Sequence, residues 1–149
     1  MLKYALTLLA AGLLVAADAK KDDAKKDREA IQGTWKVVAG EVSGKPLEKA
    51  KEFSMTFDKD AFTVKQGDEV AVKGTFKLDP SKSPKAIDMK ITEGRNAQND
   101  GKEIRGIYEL TKDGLKWCSA EPGGDDRPKE FTTKEGTKHM LITFEKAKP

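Results

Sequence analysis

This chain of 149 residues has one cysteine and one histidine. Cys118 alone allows no internal disulfide, so burial and sheet hydrogen bonds must hold the fold together. His139 alone excludes multi-histidine metal sites and leaves a single imidazole as a candidate general base. Neither sign of charge dominates: 28 basic residues stand against 25 acidic ones, and the net charge is +3. Both signs are interspersed with no basic stripe, which argues against nucleic-acid binding despite a pI of about 8.8. Aromatic residues make up only 7%, and the mean hydropathy is -0.65. A highly charged surface around a modest core follows, with enough chain for one domain and too little for two.

The one long apolar run lies at the start. Lys3 is followed by Tyr4 to Ala16, and Ala17-Asp18-Ala19 is a small-x-small cleavage signal, so residues 1–19 read as a signal peptide. A membrane span needs roughly 20 apolar residues, and this run is shorter. Cleavage after Ala19 leaves an exported product, periplasmic or extracellular, without a transmembrane anchor and expected as a monomer. Residues 20–30 are a charged, low-complexity stretch with too few apolar groups to offset ordering entropy, and they read as a flexible linker. Its end, Asp27 to Gln32, has the makings of a short helical turn with Asp27 as cap.

From residue 31 to 149 the period is close to two. Trp35, Val37 and Ala39 share a face, as do Phe53, Met55 and Phe57, then Phe62 and Val64. Val70, Val72, Gly74, Phe76 and Leu78 continue the pattern, followed by Ile87, Met89 and Ile91. Ile104, Gly106, Tyr108 and Leu110 come next, then Leu115 and Trp117, a short strand around Phe131, and finally Met140, Ile142 and Phe144. Asp58-Lys59-Asp60, Gln66-Gly67-Asp68 and Lys112-Asp113-Gly114 are turn signals between them. The fold class is therefore all-β: a single up-and-down antiparallel barrel of about eight strands. Closure is preferred to an open sheet because it pairs the two exposed edges.

Gly33-Thr34-Trp35 on the first strand resembles the Gly-x-Trp of lipocalin-type calycins. That resemblance implies structural roles for Gly33 and Trp35, with Lys146 or Lys138 supplying a cation over the indole. A longer set occurs in order: Gln32 to Val38, Gly44-Lys45-Pro46-Leu47, Gly74 to Pro80, Pro84 to Asp88, Gly106 to Leu110, and Arg127-Pro128-x-x-Phe131. Together these resemble a family of small, secreted lipocalin-like proteins abundant in planctomycete bacteria. The family carries no assigned activity, so the resemblance implies fold and compartment rather than mechanism. Trp117 stands where a smaller aliphatic residue is expected, and it would either narrow a cavity or help fill the core.

No catalytic constellation emerges. Most carboxylates sit in turns, where aspartate bonds the local backbone. Asn96 to Gly101 echoes a calcium loop, but its twelfth position is Ile107 where a bidentate glutamate is required. Neither a metal nor a cofactor is expected. His139 reads as a surface histidine at a strand end, and Cys118 as a small buried apolar residue. Candidate ligand contacts are the inward aromatics Trp35, Phe57, Phe76 and Tyr108, with Arg105 and Arg127 at the barrel mouth as anchors for a carboxylate. A competing role for Arg127 is to hold its own loop by pairing with Asp125 or Glu130. The leading expectation is a non-catalytic exported barrel acting as an envelope interaction or scaffold module. The alternative is an extracytoplasmic carrier of a small hydrophobic or amphipathic ligand, since a barrel this size holds such a ligand or its own side chains. An enzyme ranks third.

Overall fold

The period of two becomes nine strands in the computed structural model, which describes residues 22–148. They are β1 (Gly33–Val42), β2 (Lys45–Pro46), β3 (Phe53–Asp58), β4 (Ala61–Gln66), β5 (Glu69–Asp79), β6 (Ala86–Gly94), β7 (Glu103–Leu110), β8 (Gly114–Ser119) and β9 (Met140–Lys146). β2 is a two-residue spur on β1, pairing Glu41 with Pro46 and Val42 with Lys45. The other eight strands pair antiparallel in sequence order, and β9 returns to β1. Closure is direct: Trp35 lies opposite Lys146 and Val42 opposite Met140. The expected eight-stranded up-and-down barrel is the observed fold. The signal-peptide reading of residues 1–19 lies outside the described residues.

Three register shifts interrupt the ladders, and two of them overturn the expected facing of a side chain. Between Val37 and Ala39 the register of β1 against β9 shifts, so Gly40 rather than Ala39 pairs with the inward Ile142. Ala39 therefore turns outward, contrary to simple alternation. On β5 the register jumps from Val64 opposite Val72 to Lys65 opposite Val70, and Ala71 is the extra residue. Val70 ends up on the outside, 44% exposed. A period-two reading cannot see a one-residue insertion, because each half still alternates.

The interior is filled by Trp35, Phe57, Phe62, Phe76, Met89, Tyr108 and Phe144, all buried. Phe57 and Phe76 meet edge to face, with ring centroids 4.9 Å apart. Trp117 is half-buried against the same core, so it helps fill the barrel. Two glycines make room for rings. A Cβ on Gly74 would lie 2.0 Å from the Lys90 carbonyl oxygen and 2.6 Å from the Phe62 ring, and one on Gly106 would lie 2.8 Å from Trp117 Nε1.

Residues 22–31 form a helix, α1, where the composition reads as a flexible linker. Ala24, Asp27, Arg28 and Ile31 recur at helical spacing and face the barrel, but two of the four are charged. The helix is held by polar contacts as much as by burial, which a count of apolar residues misses. The expected strand around Phe131 is absent. Residues 120–139 instead form an irregular strap between β8 and β9 that crosses the outer wall.

Candidate functional site

Three regions concentrate the chemistry: the end closed by α1, the opposite rim, and the outer wall under the strap. At the closed end Ile31 is fully buried, and its carbonyl accepts the Trp35 indole N–H at 2.8 Å. Lys146 Nζ lies 5.4 Å from the Trp35 ring centroid and 3.5 Å from the Ala30 carbonyl oxygen. Lys146 is thus the cation over the indole. Lys138, the other candidate, lies in the strap, with its ammonium 3.6 Å from Glu121. Gln32 acts as a backbone mimic: its Oε1 accepts from Lys59 N–H at 2.7 Å and its Nε2 donates to Lys59 carbonyl at 3.1 Å.

Beside this lies a polar cluster that sequence reading did not single out. Asp27 Oδ2 accepts from the Tyr108 hydroxyl at 2.7 Å and from Lys85 Nζ at 2.8 Å. Asp27 is 15% exposed, and the ammonium compensates its charge. Burial, reinforced by the hydrogen bond and charge of Asp27, pushes the Tyr108 phenol far above its ordinary value. Tyr108 therefore braces the helix with its polar end and cannot offer that hydroxyl freely to a ligand. Arg28 reaches Asp60 in the β3–β4 turn at 2.5 Å. The signal for this cluster was present in the 24/27/28/31 spacing, hidden because its contacts are ionic.

Between α1 and β5 the closed end is not sealed. A crevice of about 410 Å³ opens there, lined by Ala24, Lys25, Arg28, Asp60, Phe76, Lys77 and Leu78. Of the sequence-predicted ligand contacts, only Phe76 reaches this crevice. Trp35 and Phe57 are core residues, sealed within the barrel.

At the opposite end the apolar residues are half-buried: Phe53, Val64, Val72, Ile104 and Met140 all pack against the core from its edge. Leu47, on the chain between β2 and β3, is 38% exposed and Val70 44%. The Trp117 indole N–H is shielded from solvent without an acceptor among the described residues.

The arginines lie on the outer wall and not at the mouth. Arg127 Nη1 donates to the Gly106 carbonyl at 2.7 Å, and Nη2 reaches Asp88 Oδ1 at 2.5 Å. The expected partners Asp125 and Glu130 are not the ones used: Asp125 lies 3.6 Å from Arg105. Arg127 thereby pins the strap to β6 and β7, since one guanidinium can serve a carboxylate and a carbonyl together. Thr133 adds a second pin by donating to Glu41 and accepting from Gly44 N–H at 2.9 Å. Underneath, Cys118 is fully buried with Ile107 and Ala86. Its thiol faces the Thr132 carbonyl at 3.6 Å, and burial pushes its pKa up, away from the reactive thiolate. His139, expected at the surface, is only 13% exposed, with Nε2 3.5 Å from Asp126. As the last residue of the strap, it is shielded by the segment around Asp126.

Among the described residues no three histidine, cysteine, aspartate or glutamate side chains converge as a metal site requires. No described helix is long and apolar enough to cross a membrane. No family model, curated protein or solved structure matches the chain.

Proposed function

We propose that this protein is an exported, non-catalytic, lipocalin-like barrel that works as an envelope interaction module, presenting the rim opposite α1 to a protein partner. One observation carries the reading: the barrel holds a solid aromatic core, while its large apolar residues reach solvent at that rim. Leu47 and Val70 are exposed there, beside half-buried Phe53, Ile104 and Met140. Apolar residues gathered at one end are the compositional mark of an interface centre. Two polar clusters elsewhere serve as braces: Arg127 and Thr133 hold the strap, and Asp27, Lys85 and Tyr108 hold the helix. The test is site-specific photo-crosslinking in the native host. A crosslinker at Leu47 or Val70 is expected to trap one protein partner, while one at Lys116 on the outer wall traps none. Crosslinks from Lys116 alone, or from no position, would overturn the proposal.

A second reading, an extracytoplasmic carrier for a small hydrophobic or amphipathic ligand, draws on Trp117. Its indole N–H is an unmatched donor near the rim, and a ligand oxygen would satisfy it. Native mass spectrometry of protein purified from its host separates the two, since a carrier retains added mass.

A further inference from the structure

The crevice beside α1 combines an apolar floor with a cationic margin, and it lies at the end of the barrel away from the proposed partner surface. We propose that it binds a single-chain amphipathic anion, an alkyl carboxylate, with the chain against Phe76, Leu78 and Ala24 and the head between Lys25 and Lys77.

The floor comes from the lower end of β5. Phe76 and Leu78 point inward with the core, but α1 crosses the barrel without covering their outer edges, so both line the crevice. Its volume of about 410 Å³ lies within the ~300–1,000 Å³ of clefts that hold small molecules.

The margin selects for charge. Three cations, Lys25, Arg28 and Lys77, face one carboxylate, Asp60. Asp60 is already held by Arg28 at 2.5 Å, which cancels that pair. Lys77 lies opposite Asp88 across the β5–β6 ladder, but Asp88 is taken by Arg127 at 2.5 Å. Lys25 and Lys77 have no carboxylate within ion-pair distance among the described residues. Their flexible stems can lie along the apolar floor while both ammonium groups reach the same head group. An anion with an apolar chain meets both demands. A neutral chain leaves the ammonium groups unused, and a cation is repelled.

The test titrates the processed full-length protein with laurate kept below its micelle concentration, with dodecanol and dodecyltrimethylammonium in parallel, followed by amide chemical shifts. Laurate is expected to bind with shifts at residues 24–28 and 76–78. Dodecanol loses both lysine contacts and the ammonium analogue is repelled, so each is expected to bind severalfold more weakly, by up to about 25-fold. Lys25→Ala and Lys77→Ala should each weaken laurate by up to about fivefold. Ala24→Trp fills the crevice from the helix side without touching the barrel core, and it should abolish binding at unchanged melting temperature. Several results would overturn the proposal: equal affinity for the three probes, shifts centred on Phe53 and Met140, binding that survives Ala24→Trp, or binding to anionic vesicles without binding of monomeric laurate. None of these would bear on the crosslinking result at the opposite rim.

Discussion

The Tyr108 hydroxyl donates to Asp27 Oδ2 at 2.7 Å, joining a barrel strand to a helix 81 residues earlier in the chain. With Lys85 on the same oxygen, this contact decides whether residues 22–31 belong to the domain or trail from it.

Asp27→Ala should therefore release the helix. It strands the buried Tyr108 phenol, and leaving such a group unpaired costs about 1–3 kcal/mol, while the Lys85 side chain, 40% exposed, turns to solvent. Hydrogen exchange is the direct readout: amides of residues 26–31 are expected to lose protection while β5 and β6 keep theirs. Tyr108→Phe removes one donor and leaves the Lys85 contact, so a smaller loss of about 1 kcal/mol is expected. Equal protection of α1 in wild type and Asp27→Ala would show that the apolar contacts of Ile31 suffice.

The two members of the Trp35–Lys146 pair should differ widely in effect. Trp35 is fully buried, so Trp35→Ala opens a large cavity and frees the Ile31 carbonyl, at a cost of about 3–5 kcal/mol. Lys146 contributes a cation over the ring at 5.4 Å in an exposed setting, so Lys146→Ala should cost about 0.5–1 kcal/mol. Urea unfolding followed by tryptophan fluorescence measures the second, and circular dichroism the first.

Gly74→Ala should be among the most damaging single-methyl additions. The new carbon meets a strand carbonyl and a buried ring, neither of which can yield without moving β6 or Phe62. Overpacking of this sort costs about 1–3 kcal/mol, occasionally more. Gly67→Ala at the exposed β4–β5 turn has open space around it but a left-handed φ of 59°. It should cost about 1 kcal/mol through backbone strain alone. Thermal melts of the two variants side by side separate crowding from strain.

The strap should control access to Cys118. Arg127→Ala removes the pin to Gly106 and Asp88, and the thiol, fully buried in the native chain, is expected to react with a maleimide at least tenfold faster, equivalent to about 1.4 kcal/mol of easier opening. Arg127→Lys should recover little, because an ammonium cannot reproduce the fork. An unchanged labelling rate would assign the closure to Thr133 instead.

Alkaline pH should destabilise the fold from a defined starting point. Burial raises the pKa of Cys118 above 9.0 and that of Tyr108 above 10.0, their ordinary values. The unfolded chain ionises these groups in turn while the native chain retains both protons, so unfolding releases protons and stability falls as pH rises past about 9. Each group contributes a slope of up to about 1.4 kcal/mol per pH unit. Cys118→Ala should delay the onset toward pH 10. Urea midpoints between pH 7 and 11 provide the check.

Alternation of side chains made the barrel legible, because eight strands in a meander carry the same period and short turns leave neighbours no choice but to pair. It failed at Ala39 and Val70 for one reason: a bulge inserts a residue without disturbing the pattern on either side of it. It failed at α1 for another. The face of that helix is half ionic, so a reading that weighs only apolar groups sees a spacer. Arg127 stood out in the sequence, but its place on the outer wall did not, since its partner Asp88 lies 39 residues away in the chain and nothing local announces that contact. The crevice was out of reach for the same reason, being formed where a helix and a strand from separate parts of the chain fail to meet.

The meeting of β1 with β9 has a topological consequence. Ala147 N–H donates to the Thr34 carbonyl at 2.9 Å, so the two ends of the ring are already side by side and only the helix separates residue 22 from residue 148. That helix is about 15 Å long, a gap that about six polar residues can cross. A circularly rearranged chain, joined there and cut at the exposed Gly67–Asp68 turn, would keep every barrel ladder while reversing which strands leave the ribosome first. This molecule is in that sense a ring with an arbitrary starting point.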